Sequence, residues 1–230
     1  MSVLGAVIKK DLLVTARNPQ QVAGVFFFAA LAAILASFAL RQIGSGEEHY
    51  RQLIPGVFWI IVSFASVLSL QHSYSAEREN QALSRLVLTA IDPLYIYLSK
   101  VLINLLIISS VQVIVLSLLA LLFNVSLVEH TAELSLIAFL GACGIAGLGT
   151  LLAGMASAVA ARELLLPILL FPLLLPHLAG VVFLMQDVIM NSGATISELE
   201  MGLFWRNLVI GYDLIILTLG SVLFEFAVRE

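Results

Sequence analysis

The sequence predicts an all-α integral membrane protein with six transmembrane helices in a single domain over residues 1–230. Hydrophobic residues make up 61% of the chain and charged residues only 11%, against roughly 25% charged in an ordinary soluble domain. The stretches Val22 to Leu40 and Val101 to Val128 are 19 and 28 residues long and carry no charge, where about 20 residues cross the hydrocarbon core. Barrel strands would instead alternate over about ten residues, so the spans are predicted to be helices.

The N-terminal residues 2–18 predict an amphipathic elbow helix on the membrane surface. Leu4 and Val7 lie on its apolar arc, Lys9 and Lys10 on its polar side, and Asp11 projects within the apolar arc. Asn18-Pro19 ends the helix, because proline cannot donate a backbone hydrogen bond. A secretory signal is the alternative, but its hydrophobic region would be shorter and followed by a cleavage site. We favour the elbow.

Six spans follow the elbow along the chain. The second has Pro55 near its predicted start, where a missing N–H costs little. The third exceeds the bilayer thickness and should tilt or project into the cytoplasm. The polar connection at 186–207 leaves room for a re-entrant or surface helix. The spans are predicted at residues 22–40, 54–70, 95–123, 134–160, 164–185 and 208–228.

Small residues and prolines distinguish the fourth and fifth spans. Small side chains allow close helix packing, so the fourth span should lie inside the bundle rather than against lipid. Proline removes helical hydrogen bonds, so the fifth span should bend near its second and third prolines. The residues are Gly141, Gly144, Gly147, Gly149 and Gly154 in the fourth span and Pro167, Pro172 and Pro176 in the fifth.

A polar stretch from Gln71 to Lys100 interrupts the apolar spans near the middle of the chain. Within it, apolar residues recur at spacings of three and four between Leu83 and Ala90, which predicts a short amphipathic helix. Asp92-Pro93 ends this helix. Lying along the bilayer face, it would be available to a soluble partner and could receive force from it. Its charged and polar residues include Glu77, Arg78, Glu79, Asn80 and Arg85.

The basic residues predict that both termini and the central amphipathic helix face the cytoplasm. Eight of the eleven lie on the side that holds the termini and three on the other, as the positive-inside rule expects. The inner set is Lys9, Lys10, Arg17, Arg78, Arg85, Lys100, Arg162 and Arg229, and the outer set is Arg41, Arg51 and Arg206.

Several classes of function are excluded by the residues themselves. A phosphate-binding loop needs glycine before its lysine, whereas Ile8, Lys9 and Ser99 precede the three lysines. HExxH and GxSxG do not occur, so we find no catalytic site. The single Cys143 excludes an internal disulfide and a CxxC pair. Scattered bases and a net charge of −4 give no basis for binding nucleic acid.

Polar residues inside the spans are the remaining candidates for function. His177 and His72 could ligate a metal or heme iron, or make ordinary hydrogen bonds. Asp213 lies within the sixth span, where an ionisable group is expensive and therefore a functional candidate. A structural ion pair with Arg206, seven residues earlier, is favoured over a transport role. The remaining two, Asn104 and Gln112, are expected to join helices by hydrogen bonds rather than line a pathway.

The order of elbow, two spans, charged cytoplasmic helix and four spans resembles the permeases of ABC-2-type exporters. The stretch LIPGVFWIIVSFASVLSLQHSYSAERENQALSRLVLTAIDPLYIYLSKVL, from Leu53 to Leu102, and LLPILLFPLLLPHLAGVV, from Leu165 to Val182, resemble the heme exporter protein B (CcmB) family. The likeness extends over nearly the whole chain. It departs from many members at Asn80-Gln81, where they have an acidic residue and glycine.

The resemblance implies a bacterial inner-membrane permease subunit for c-type cytochrome biogenesis. It also implies that ATP is bound by a separate CcmA-like subunit, which contacts the Glu77–Arg85 helix. Further implied partners are a CcmC-like heme-handling membrane subunit, a CcmE-like periplasmic heme chaperone and a second copy of the chain. That CcmC-like partner is marked by a tryptophan-rich motif, whereas Trp59 and Trp205 stand alone here.

The expected role is therefore to couple ATP hydrolysis to heme delivery or to release of the heme-loaded chaperone. Heme is possible cargo, and no cofactor is expected to reside in the chain. An exporter permease for a drug, lipid or glycan is the alternative, and a structural anchor for other assembly proteins is a third.

Overall fold

Seven α-helices make up most of the part of the chain that the computed structural model describes, which is residues 3–42, 47–73, 93–156, 162–190 and 196–229. Six of them, α2 to α7, are long and apolar enough to cross a membrane, so the prediction of six spans is confirmed. The helices are α1 Val3–Arg17, α2 Pro19–Arg41, α3 Glu47–His72, α4 Pro93–Phe123, α5 Thr131–Ala156, α6 Arg162–Met190 and α7 Ile196–Arg229.

Two boundary predictions are wrong because helices continue beyond their apolar spans. Helix α3 begins at Glu47, which places Pro55 inside the helix rather than near its start. Helix α6 continues to Met190 and α7 begins at Ile196. The predicted polar connection at 186–207 is thus shortened to residues 191–195, and the chain from Ile196 belongs to the last helix instead of a separate surface helix.

The predicted central amphipathic helix lies outside the described residues. These omit 74–92, which include Glu77, Arg78, Glu79, Asn80 and Arg85. Residues 157–160, the predicted end of the fourth span, are also outside them. At the N-terminus, α1 is helical and ends before Asn18-Pro19, as predicted. Its position on a membrane surface stays a prediction.

Helix α5 occupies the centre of the bundle, as its small residues predicted. In its most apolar stretch of 18 residues, 72% of the residues are buried, against 22% in the corresponding stretch of α2. It packs against α3, α4, α6 and α7. A Cβ at Gly141 would overlap the ring of Trp59, and one at Gly149 would overlap Leu70. The glycines therefore leave the space that large side chains of α3 fill.

Asn124 ends α4 with a left-handed turn, at φ 56°. The backbone N–H of Val125 donates to the Ala120 carbonyl at 3.0 Å, and that of Asn124 donates to the Leu121 carbonyl at 3.3 Å. This is the Schellman pattern, in which asparagine tolerates the left-handed position. The guanidinium of Arg41 donates to the Leu122 carbonyl, which joins the C-terminal ends of α2 and α4.

Candidate functional site

Helices α1 and α4 meet around a buried carboxylate. Asp11 is only 3% exposed, and the Ser99 hydroxyl donates to its Oδ2 at 2.8 Å. The Lys10 ammonium lies 2.9 Å from Asp11 Oδ1 and the Lys100 ammonium 3.7 Å from it. Two cations and a hydroxyl thus compensate a charge that would be costly to bury alone.

The same cluster continues from α4 to Ser73, the residue directly after α3, and to α5. The Lys100 ammonium donates to the Ser73 carbonyl at 2.8 Å. The Asn104 amide nitrogen donates to the hydroxyls of Ser73, at 3.3 Å, and Thr150, at 2.9 Å, which its two N–H groups allow. We call Asp11, Ser73, Ser99, Lys100, Asn104 and Thr150 the polar cluster.

The polar cluster lies where the central segment 74–92 joins the bundle. Ser73 directly precedes this segment, and Pro93, the first residue of α4, follows it. Ser99 and Lys100 lie within two turns of that start. Side chains of the polar cluster thus lie next to one end of the segment and within two helical turns of the other.

A cavity of ≈ 50 Å³ opens beside the polar cluster. His72, an exposed residue at the end of α3, is part of its wall together with Asp11, Lys100 and Asn104. Among the described residues, no group of three or more His, Cys, Asp or Glu side chains could hold a metal ion. The structure therefore places His72 beside a polar cavity, and within the described residues it does not belong to a group of three or more such side chains.

A second buried polar group lies between α5, α6 and α7. His177 is fully buried and Asp213 is 6% exposed, and His177 Nδ1 is 3.6 Å from Asp213 Oδ1. The imidazole packs against the ring of Tyr212 in a tilted arrangement, with ring centroids 4.8 Å apart and 30° between the planes, and it approaches the backbone of Gly141. A Cβ at Gly144 would overlap His177 and lie 2.7 Å from Asp213 Oδ1.

The His177–Asp213 pair differs from the sequence prediction. Asp213 faces α6, whereas Arg206 is exposed and forms no ion pair with it. Two atoms 3.6 Å apart are too distant for a hydrogen bond, and both side chains have buried nitrogen and oxygen atoms without a hydrogen-bond partner. The imidazole ring of His177 is not exposed at the protein surface.

Asn104 and Gln112 both join α4 to α5. Asn104 contacts Thr150 as described, and the Gln112 amide donates to the Ala138 carbonyl at 3.1 Å.

The sequence showed that Asp11 lies on an apolar arc, but it did not reveal the partners Ser99 and Lys100. The only signal in the sequence was the carboxylate itself, which lies on an apolar arc. Burying such a charge is costly unless a cation elsewhere in the fold pairs with it.

Comparison with known families shows to which family the chain belongs. The family described as CcmB protein matches residues 2–229. The chain belongs to the CcmB family. The match includes every described helix and both buried polar groups. No curated protein sequence matches the chain.

Membership of the CcmB family sets the general role. CcmB proteins are permease subunits of the ABC system for heme export and cytochrome c maturation. The six apolar helices agree with a multi-pass membrane protein of this kind. The family resemblance inferred from Leu53–Leu102 and Leu165–Val182 is thus confirmed.

Proposed function

We propose that this CcmB subunit transmits ATP hydrolysis in a separate ATP-binding subunit to release of the heme-loaded chaperone during cytochrome c maturation. The observation that supports this is the polar cluster, which connects both ends of the central segment to α1 and α5. In this proposal the Glu77–Arg85 helix is the contact for the ATP-binding subunit.

Force on the central segment would reach the bundle by two routes. The first runs through Ser73 and Asn104 to Thr150 on the central helix α5. The second runs through Lys100 and Ser99 to Asp11 on α1. Buried polar networks favour discrete arrangements, because a partly broken network leaves costly unpaired groups. Such a network suits a part that must switch between two states.

The proposal also includes the membrane location, the orientation and the partners of the subunit. It lies in the bacterial inner membrane with both termini and the central segment in the cytoplasm, where the ATP-binding subunit can reach it. Two copies assemble with two ATP-binding subunits. A CcmC-like membrane subunit handles heme and a CcmE-like chaperone receives it in the periplasm. Burial of His177 supports heme handling outside this chain.

The test is complementation in cells that lack the gene. Wild-type protein should restore c-type cytochromes, and should not restore them when the ATP-binding subunit carries a substitution that blocks hydrolysis. Normal holocytochrome levels in the deletion strain would refute the proposed role. Normal levels with the inactive ATP-binding subunit would indicate a structural anchor instead. Stimulation of ATP hydrolysis by a drug, lipid or glycan would indicate an exporter permease.

A further inference from the structure

An apolar groove of ≈ 530 Å³ lies between α1, α2 and α4. Leu12 and Ala16 line it from α1, Ala23 and Phe26 from α2, and Leu106 from α4. Leu12 is 48% exposed and Leu106 57%, so the groove is open at the surface of the helix bundle. Its volume lies within the range of about 300–1,000 Å³ typical of ligand sites.

The apolar groove adjoins the cavity beside the polar cluster. Thr15, Val22, Ile103 and Ile107 belong to the walls of both. Side by side, the two offer a long apolar arm and a short polar end. Their junction lies beside Asn18-Pro19, where the chain passes from α1 to α2. An amphiphile with a single polar end matches this shape.

The charge around the polar end favours an anion. Among the described residues of α1 and the start of α4, Lys9, Lys10, Arg17 and Lys100 carry four positive charges and Asp11 one negative charge, a net of +3. Lys10 and Lys100 lie 2.9 Å and 3.7 Å from Asp11, which lines the cavity, so the immediate surroundings of this carboxylate carry a net charge of +1. Lys9 and Arg17 are exposed on the same helix, α1. Basic residues near a membrane surface attract anionic lipids by about 1 kcal/mol each.

The size of the cavity limits what can occupy its polar end. A water molecule needs about 10–15 Å³ of such space, so ≈ 50 Å³ admits a few atoms of that size. A phosphate group fits this description, with the remainder of a headgroup outside. A protein helix would fill the apolar arm but would leave the polar end unused.

We propose that the site binds one anionic glycerophospholipid, with an acyl chain in the groove and its phosphate at the mouth of the polar cavity. The lipid would then contact α1 beside Asp11 and so lie against the polar cluster. This inference depends on the groove, the cavity and the charges, and it does not depend on the proposed function.

The test counts lipids on the full chain purified with its partner subunits. After extraction and detergent washing, native mass spectrometry should find one phosphatidylglycerol per chain when the complex is reconstituted in phosphatidylglycerol. Ala23→Trp and Ser110→Trp both fill the groove and should each lower the occupancy about tenfold, since they displace several buried methylene groups. Both positions are exposed, which makes large side chains tolerable for folding.

Ala39→Trp is the matched control, because Ala39 is another exposed alanine of α2 that is not part of the groove. It should retain lipid as the wild type does. Substitution of Lys9 and Arg17 by glutamine should lower the preference for phosphatidylglycerol over phosphatidylcholine by about fivefold for each charge removed.

Three results would overturn the proposal. One is a washed wild-type complex without bound phospholipid. Another is equal retention in Ala23→Trp, Ser110→Trp and Ala39→Trp, with thermal unfolding showing which variants are folded. The third is a change in the number of protein chains in the groove variants with no change in bound lipid, which would identify the groove as a protein interface.

Discussion

Ser99 donates a hydrogen bond to Asp11 across 88 positions of sequence, with 2.8 Å between Ser99 Oγ and Asp11 Oδ2. The bond joins α1 to the start of α4, next to Lys100, whose ammonium also faces the carboxylate. A charge on an otherwise apolar arc of α1 is thereby matched inside the protein. The attachment of α1 to the bundle consequently depends on a few polar atoms as well as on apolar packing.

Replacement of Asp11 by alanine should destabilise the protein strongly. It leaves the Lys100 ammonium, whose side chain is 7% exposed, without its carboxylate, and breaking a buried ion pair costs about 3–5 kcal/mol. The midpoint of thermal unfolding in detergent is the measurement. Glu133→Ala is the control, because its pair with His130 is at the surface and should contribute at most about 1 kcal/mol.

The double variant Asp11→Leu with Lys100→Met separates ion pairing from packing. Replacement of both partners by apolar residues leaves no unpaired buried charge, because the side chain of Lys10, the other cation beside Asp11, is 40% exposed to solvent. We therefore expect it to unfold at a higher temperature than Asp11→Ala. A double variant less stable than the single one would show that the ion pair is not the main contribution of Asp11.

Gly144→Ala should destabilise the contact between α5, α6 and α7. The new methyl group would overlap His177 and approach Asp213, and overpacking of this kind costs about 1–3 kcal/mol. Gly211→Ala in α7 is the control, because no atom lies within 4 Å of its added Cβ. There alanine should be neutral or stabilise by about 0.5–1 kcal/mol. Equal unfolding temperatures for the two variants would contradict the close packing at Gly144.

The number and order of spans could be predicted from sequence because hydropathy and length are properties of a single segment. Helix ends could not be, since the polar turns from Glu47 to Leu53 and from Ile196 to Asn207 already belong to the helix before the apolar span begins. Charge therefore marked the edge of the apolar region and not the end of the helix.

Partners of buried polar residues were harder to predict than the residues themselves. Asp11 and Asp213 were visible as carboxylates in apolar surroundings. Their partners Ser99 and His177 lie on other helices, and their positions depend on how the helices rotate and pack. The choice of Arg206 as the partner of Asp213 failed because it considered one helix alone, where spacing is known, and ignored the helix across the interface.

His177→Phe combined with Asp213→Leu should keep or raise stability while lowering cytochrome c assembly. The wild-type pair buries polar atoms without hydrogen-bond partners, and apolar residues of similar shape remove that cost. A group that lowers stability inside a membrane helix is a candidate for function. Thermal unfolding and holocytochrome content are measured in parallel.

Gln112→Leu provides the contrast to the His177 and Asp213 double variant. It removes a formed hydrogen bond between α4 and α5, so stability should fall by on the order of 1 kcal/mol while assembly continues. Full assembly in the double variant, at wild-type protein levels, would show that the pair has no functional role.

Exchange of the charges at positions 78 and 79, by Arg78→Glu with Glu79→Arg, should separate the permease from its ATP-binding subunit. The exchange keeps the number of bases on that side of the membrane, so the positive-inside rule predicts unchanged insertion. Like charges would then face each other across the proposed contact, which costs several kcal/mol. Co-purification and holocytochrome content should both fall, while the amount of protein in the membrane stays the same.

Arg206→Glu is the control for this exchange, because it changes an exposed residue on the predicted opposite side of the membrane. It should leave co-purification, holocytochrome content and the amount of protein in the membrane unaltered. If the exchanged variant still co-purified with its partner and supported assembly, the central segment would not be the contact, and the polar cluster would have to receive force from elsewhere.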